Sequence, residues 1–136
     1  MRVFIKPDQS HPTEYMILEQ QLTILETSKK LKELGVKQES MFYWKQDLNG
    51  VSWILVYVSY IARLKNEVKA NPDIWISAFT VTELGEIMKD KIEPFPPMYD
   101  SSMENWNWQD EVIADTEAEV RGRMLVFLLE NKLIEL

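Results

Sequence analysis

MFYWKQDLNGVSWILVYV, residues 41–58, sets two runs rich in aromatic and β-branched residues on either side of Asn49-Gly50. Asn-Gly is the pair that most favours a tight type I′ hairpin turn, and β-branched and aromatic side chains suit a pleated, half-buried surface. A two-residue turn opposes Leu48 to Val51 and fixes the register. One face then carries Phe42, Trp44, Gln46 and Leu48 with Val51, Trp53, Leu55 and Tyr57. The other carries Met41, Tyr43, Lys45 and Asp47 with Ser52, Ile54, Val56 and Val58. The first face holds the larger apolar side chains, so helices are expected to cover it.

Outward from this hairpin, one pattern recurs. Thr23 to Glu26, Thr80 to Glu83 and Thr116 to Glu119 each fit Thr-x-x-Glu, the reciprocal capping box of a helix start. The first helix is expected over about 24–34, stopped by Gly35 in a left-handed conformation with Val36 folded back on Leu31. The second begins after Thr80, with Phe79 and Leu84 as a hydrophobic staple, and ends before Pro94. The third runs from Glu117 to Glu130, its core stripe made by Val120, Met124, Phe127 and Leu128, with Glu117–Arg121 and Glu119–Arg123 as i,i+4 pairs. Gly85 and Gly122 fall inside helices, where glycine usually marks the close approach of a neighbour.

DIWIS (73–77) reads as a short strand. PPMYDSSM (96–103) and ENWNWQDEVIA (104–114) read as a second hairpin. Residues 59–71 fit either a strand extension or a short helix through Ile61, Leu64 and Val68. Residues 1–22 read as a peripheral strand or arm, with Arg2 to Lys6 as an edge strand. The expected fold is a single α+β domain spanning 1–136: three helices packed on an antiparallel sheet built from two hairpins and a short strand.

Composition narrows the chemistry. With 46% hydrophobic and 27% charged residues the chain has the balance of a globular protein. It has no cysteine, which excludes disulfides, thiolate catalysis and Cys-ligated zinc. The longest mostly apolar run, 51–62, is too short for a membrane span, and the first residues lack the pattern of a secretory leader, so a cytoplasmic location is expected. The net charge of −7 lies entirely in residues 93–136. Such a surface repels a phosphate backbone, so nucleic acid is an unfavoured partner.

Within the acidic third, Trp106 and Trp108 alternate in MENWNWQDE (103–111). Alternation puts both indoles on one strand face and Asn105, Asn107 and Gln109 on the other. Packing against the third helix accounts for the rings most simply. Together with Tyr99 they are the candidate contacts for a ligand or partner. Asp110, Glu111 and Asp115 are the candidate metal ligands, although acids before and within a first helical turn are also what the helix dipole favours. His11, the single histidine, sits in a Ser-His-Pro turn with no cysteine to activate. No cofactor is implied.

LETSKKLKELGVKQESMFYW (25–44), WISAFTVTELGEIMKD (75–90) and IADTEAEVRGRMLVFLLENKLI (113–134) together resemble a family of small proteins encoded by bacteriophages, prophages and mobile elements of gut bacteria. That family has no assigned activity, so the resemblance implies a setting and a scaffold but no site residues. The expected function is that of a small, non-enzymatic, cytoplasmic protein that binds another macromolecule, a host or phage protein. The alternatives are a metal-dependent hydrolase using the acidic cluster and a nucleic-acid-binding module using sheet aromatics. A homodimer follows if Tyr15 to Leu18 or the Tyr43 face is exposed.

Overall fold

The computed structural model describes residues 4–5, 16–89, 91 and 96–136. His11, Tyr15 and Pro94 lie outside the described residues. Among the described residues the fold is α+β, with four α-helices and two three-stranded antiparallel sheets. The single sheet under three helices expected from the pattern is thus divided in two, and a fourth helix joins it.

The first sheet contains β3 (Phe42–Gln46), β4 (Trp53–Tyr57) and β5 (Trp75–Ala78), in the order β4-β3-β5. Trp44 pairs with Leu55 and Gln46 with Trp53, the register read from the sequence. The turn differs. The Asp47 amide donates to the Ser52 carbonyl at 2.7 Å, which closes a four-residue loop over 48–51. Of the Asn-Gly pair only Gly50 has positive φ (72°), so the turn is not type I′. The Asn49 side chain accepts from the Val51 and Ser52 amides (2.9 and 3.1 Å) and holds the wider loop. Leu48 and Val51 are left exposed.

Both faces of this sheet are covered, not one. Phe42, Trp44 and Leu55 pack with Leu18, Leu22 and Ala78. The same face meets α1 (Leu25–Glu33): the Trp44 indole donates to the Thr23 carbonyl at 3.2 Å, and the Lys29 ammonium lies 5.1 Å from the centre of the Trp53 ring. Across the sheet, Tyr43, Val58 and Trp75 pack under Leu64 and Val68 of α2 (Ala62–Ala70), the segment whose pattern was ambiguous. Tyr43 is therefore buried, although Met41 and Ile54 of the same face stay exposed. Two short strands, β1 (Phe4–Ile5) and β2 (Met16–Ile17), pair antiparallel before a 3₁₀ turn at Leu18–Gln21.

The remaining elements are α3 (Val81–Met88), β6 (Met98–Asp100), β7 (Asn105–Trp108), β8 (Val112–Ala114) and α4 (Glu117–Glu130). The last three strands form the second sheet in chain order. Residues 104–114, read as one strand, are two. Gln109 and Asp110 both take left-handed φ (51° and 59°), and the Glu111 amide returns to the Trp108 carbonyl at 3.0 Å, so the chain reverses there. Asn107 stabilises the reversal through its side chain, which accepts from the Asp110 amide at 2.9 Å.

α4 organises the core. Its Val120, Met124, Leu125 and Leu128 are buried among Leu31 of α1, Leu84 and Met88 of α3, and Trp108, Val112 and Ala114 of the second sheet. Truncating one such leucine typically costs about 2–5 kcal/mol. The α1 end is the Schellman motif foreseen: Gly35 has φ 92°, the Val36 amide donates to the Leu31 carbonyl (3.0 Å), and that of Gly35 donates to Lys32 (3.1 Å). Phe79 and Leu84, the expected staple, are fully buried.

Candidate functional site

The three Thr-x-x-Glu patterns meet different fates, and these shape a large cleft among the described residues. At α3 the box closes. Thr80 Oγ1 accepts from the Glu83 amide (3.1 Å) and Glu83 Oε1 from the Thr80 amide (2.9 Å). At α4 the threonine half forms, with the Glu119 amide donating to Thr116 Oγ1 at 3.1 Å. The Glu119 carboxylate, however, turns to α1. Its Oε1 accepts from the Ile24 amide (3.1 Å) and its Oε2 from the Thr27 hydroxyl (2.5 Å) and Arg123 Nε (2.7 Å). Thr23 does not cap α1. Its hydroxyl accepts from the Phe79 amide (3.0 Å) and is shared with Ser28 Oγ (2.7 Å). Gly122 lets α4 approach this closely, since a Cβ there would lie 2.6 Å from Thr23 Cγ2.

Because α3 and α4 pack side by side, their capped N-termini open on the same space. There they meet the 3₁₀ turn at 18–21 and enclose a cleft of about 710 Å³, within the usual range of small-ligand sites. Leu18, Leu22, Phe42, Val81 and Ala118 supply apolar surface, Trp106 forms a wall, and Asp115 and Glu117 bring carboxylates. Among the described residues no lysine, arginine or histidine lines it. Gln21 Nε2 is buried there without a hydrogen-bond partner among the described residues. The first amides of a helix have no acceptor within their own helix, and Thr82 and Ala118 of those first turns line the cleft.

The structure separates the two tryptophans. Both lie on the face of β7 that also carries their partners Ala114 and Val112, as alternation required. Trp108 is buried, its ring 5.9 Å from that of Phe127 and inclined at 69°. Trp106 is half-buried at the cleft, with the Tyr99 ring edge-on at 5.7 Å. Tyr99 itself is 52% exposed. The opposite face of this sheet presents Met98, Asn107 and Ile113 in one cross-strand row, Met98 and Ile113 both exposed.

The acidic candidates do not converge. Asp110 and Glu111 precede β8 and Asp115 follows it, so a strand of three residues, roughly 10 Å, stands between them. Among the described residues no group of three or more histidine, aspartate or glutamate side chains is placed to hold a metal ion. Asp110 is engaged with Asn107, whose Nδ2 donates to its Oδ1 at 3.2 Å. Asp100 is tied into its own turn, and its carboxyl is held below the ordinary aspartate range by the hydrogen bond from Ser102 Oγ and then by the Met103 and Ser102 amides.

Sequence reasoning named Trp106 and Asp115 separately but missed Gln21, Phe42 and Thr82. Only the capping boxes could have hinted at the cleft, since they mark two helix starts and helix starts can be neighbours. No described helix is long and apolar enough to cross a membrane. No family model, curated protein or solved structure matches the chain.

Proposed function

We propose that this chain is a small, non-enzymatic, cytoplasmic protein that acts by binding another macromolecule, a protein of its host or of the phage or prophage that the sequence resemblance suggests. One observation carries the proposal: a preformed cleft, walled by Trp106, carries carboxylates and, among the described residues, no cation, and its Trp106, Asp115 and Glu117 come from the third of the chain that holds the whole net charge. Such a surface favours a positively charged partner and repels a phosphate backbone. The carboxylates that a hydrolase would have to gather stand at opposite ends of β8, which leaves the metal-dependent alternative without support from geometry.

Affinity purification of the tagged full chain from host lysate, at low and at raised salt, tests the proposal. A defined partner, recovered in near-stoichiometric amount and released as salt rises, supports it. Recovery of chaperones alone counts against it.

A further inference from the structure

Independently of the cleft, we infer that residues 60–71, with α2 at their centre, form a lid that lifts off the first sheet as a unit while the rest of the fold stays closed. The floor beneath it is buried and the lid itself is not. Tyr43, Val58 and Trp75 are buried, with the Tyr43 and Trp75 rings edge-on at 6.1 Å. No residue from 60 to 71 is buried, and the lid's apolar contact with this floor comes from the half-buried Leu64 and Val68.

Few polar bonds hold the lid down. The Lys45 ammonium reaches Glu67 at 3.9 Å, a partly exposed pair of the kind that contributes little. Among the described residues no other α2 side chain is hydrogen-bonded or ion-paired to the floor. α2 also starts without a side-chain cap, because Ile61 stands at the position where serine, threonine, aspartate or asparagine would supply an acceptor. Its 9 residues are fewer than the roughly 12 at which an isolated helix becomes even marginal in water. α2 therefore owes its helical form to docking, and lifting it off loosens the helix as well.

Docking also has costs that opening removes. Trp75 Nε1 is buried in the floor without a hydrogen-bond partner, so the closed lid takes its water away and gives nothing back. Ser59, where the lid begins, has φ 34°, a left-handed conformation that is strained in a residue with a side chain. The two ends are nevertheless pinned. The Met41 carbonyl accepts from the Val58 and Ser59 amides at 2.8 and 3.1 Å, and the Lys32 ammonium donates to the Pro72 and Trp75 carbonyls. Residues 60–71 thus move between fixed points, and a minor open population bares Tyr43, Val58 and Trp75 without global unfolding.

Native-state hydrogen exchange of the full chain, followed by NMR, tests the lid. The Asn66 to Ala70 amides and the Trp75 indole are expected to share one protection factor, at least about 100-fold below that of the Met124 to Leu128 amides of α4. Val68→Ala, which removes part of the lid's apolar contact, should lower that shared protection by roughly tenfold and leave α4 unchanged. Ile61→Asp changes an exposed side chain and supplies the absent cap, so it should raise the shared protection about fivefold. Equal protection of α2 and α4 would overturn the inference. So would weakly protected α2 amides above a Trp75 indole protected like the core, which is a helix fraying over a closed floor. An indole that does not follow α2 in the Ile61→Asp chain would overturn it as well.

Discussion

Glu119, in the first turn of α4, accepts a hydrogen bond from the backbone amide of Ile24 at 3.1 Å, across 95 residues of sequence. In a capping box that amide is answered by a glutamate three residues along the same helix. Here a distant helix supplies it, and the same carboxylate also holds Thr27 and Arg123. Glu119 is 4% exposed, so it locks α1 to α4 from inside the protein.

Glu119→Ala should therefore cost about 2–4 kcal/mol, because it strands a part-buried amide, a buried hydroxyl and a guanidinium together. Urea unfolding of the variant beside wild type measures it. A loss below about 0.5 kcal/mol, the level of an ordinary surface substitution, would show that the docking of α1 does not depend on this group.

The two helical glycines should respond with opposite signs. At Gly122 a methyl would meet Thr23 Cγ2 at 2.6 Å and Thr27 Cγ2 at 3.0 Å, whereas at Gly85 nothing lies within 4 Å. Gly122→Ala is expected to destabilise by about 1–3 kcal/mol, since overpacking outweighs the helix propensity gained. Gly85→Ala is expected to stabilise by up to about 1 kcal/mol. Thermal unfolding of both variants decides it. Equal shifts of one sign would mean that the α1–α4 approach is not as close as described.

Asp100 gives a pH dependence whose direction follows from its hydrogen bonds. A carboxyl whose folded pKa is depressed stabilises the fold above its unfolded value, and that contribution is lost as pH falls through the folded value. The group is exposed, so the effect is small. Carbon-detected carboxyl titration should place the Asp100 midpoint below the ordinary aspartate range, and Ser102→Ala, which removes the first of its donors, should raise it. A midpoint unmoved by that substitution would contradict the assignment.

How far the sequence could be read depended on whether each signal was local. The hairpin register survived a wrong turn type, because the burial of alternate side chains fixes it more firmly than Asn49-Gly50 does. The Schellman end at Gly35 and the bounds of α4 were legible, both being set by residues within a turn of each other. Thr-x-x-Glu was not self-sufficient. The same pattern closed at Thr80, half-formed at Thr116 and failed at Thr23, whose hydroxyl is drawn to Phe79. Long-range partners decided among the three, and spacing carries no trace of them.

The second sheet and the cleft were hidden for the same reason. Asn107, Gln109 and Asp110 reverse the chain without a glycine, so one strand was read where two exist. Alternation placed Trp106 and Trp108 on a common face, but only the reach of α4 shows that it shelters Trp108 and leaves Trp106 at an opening. Gln21 belongs to a 3₁₀ turn with no periodic pattern, and its buried amide nitrogen becomes visible only in three dimensions.

The binding role meets its most direct test in capture from host lysate by the tagged full chain, at low and at raised salt. The account predicts one defined partner in near-stoichiometric amount, released as salt rises. Chaperones alone would contradict it.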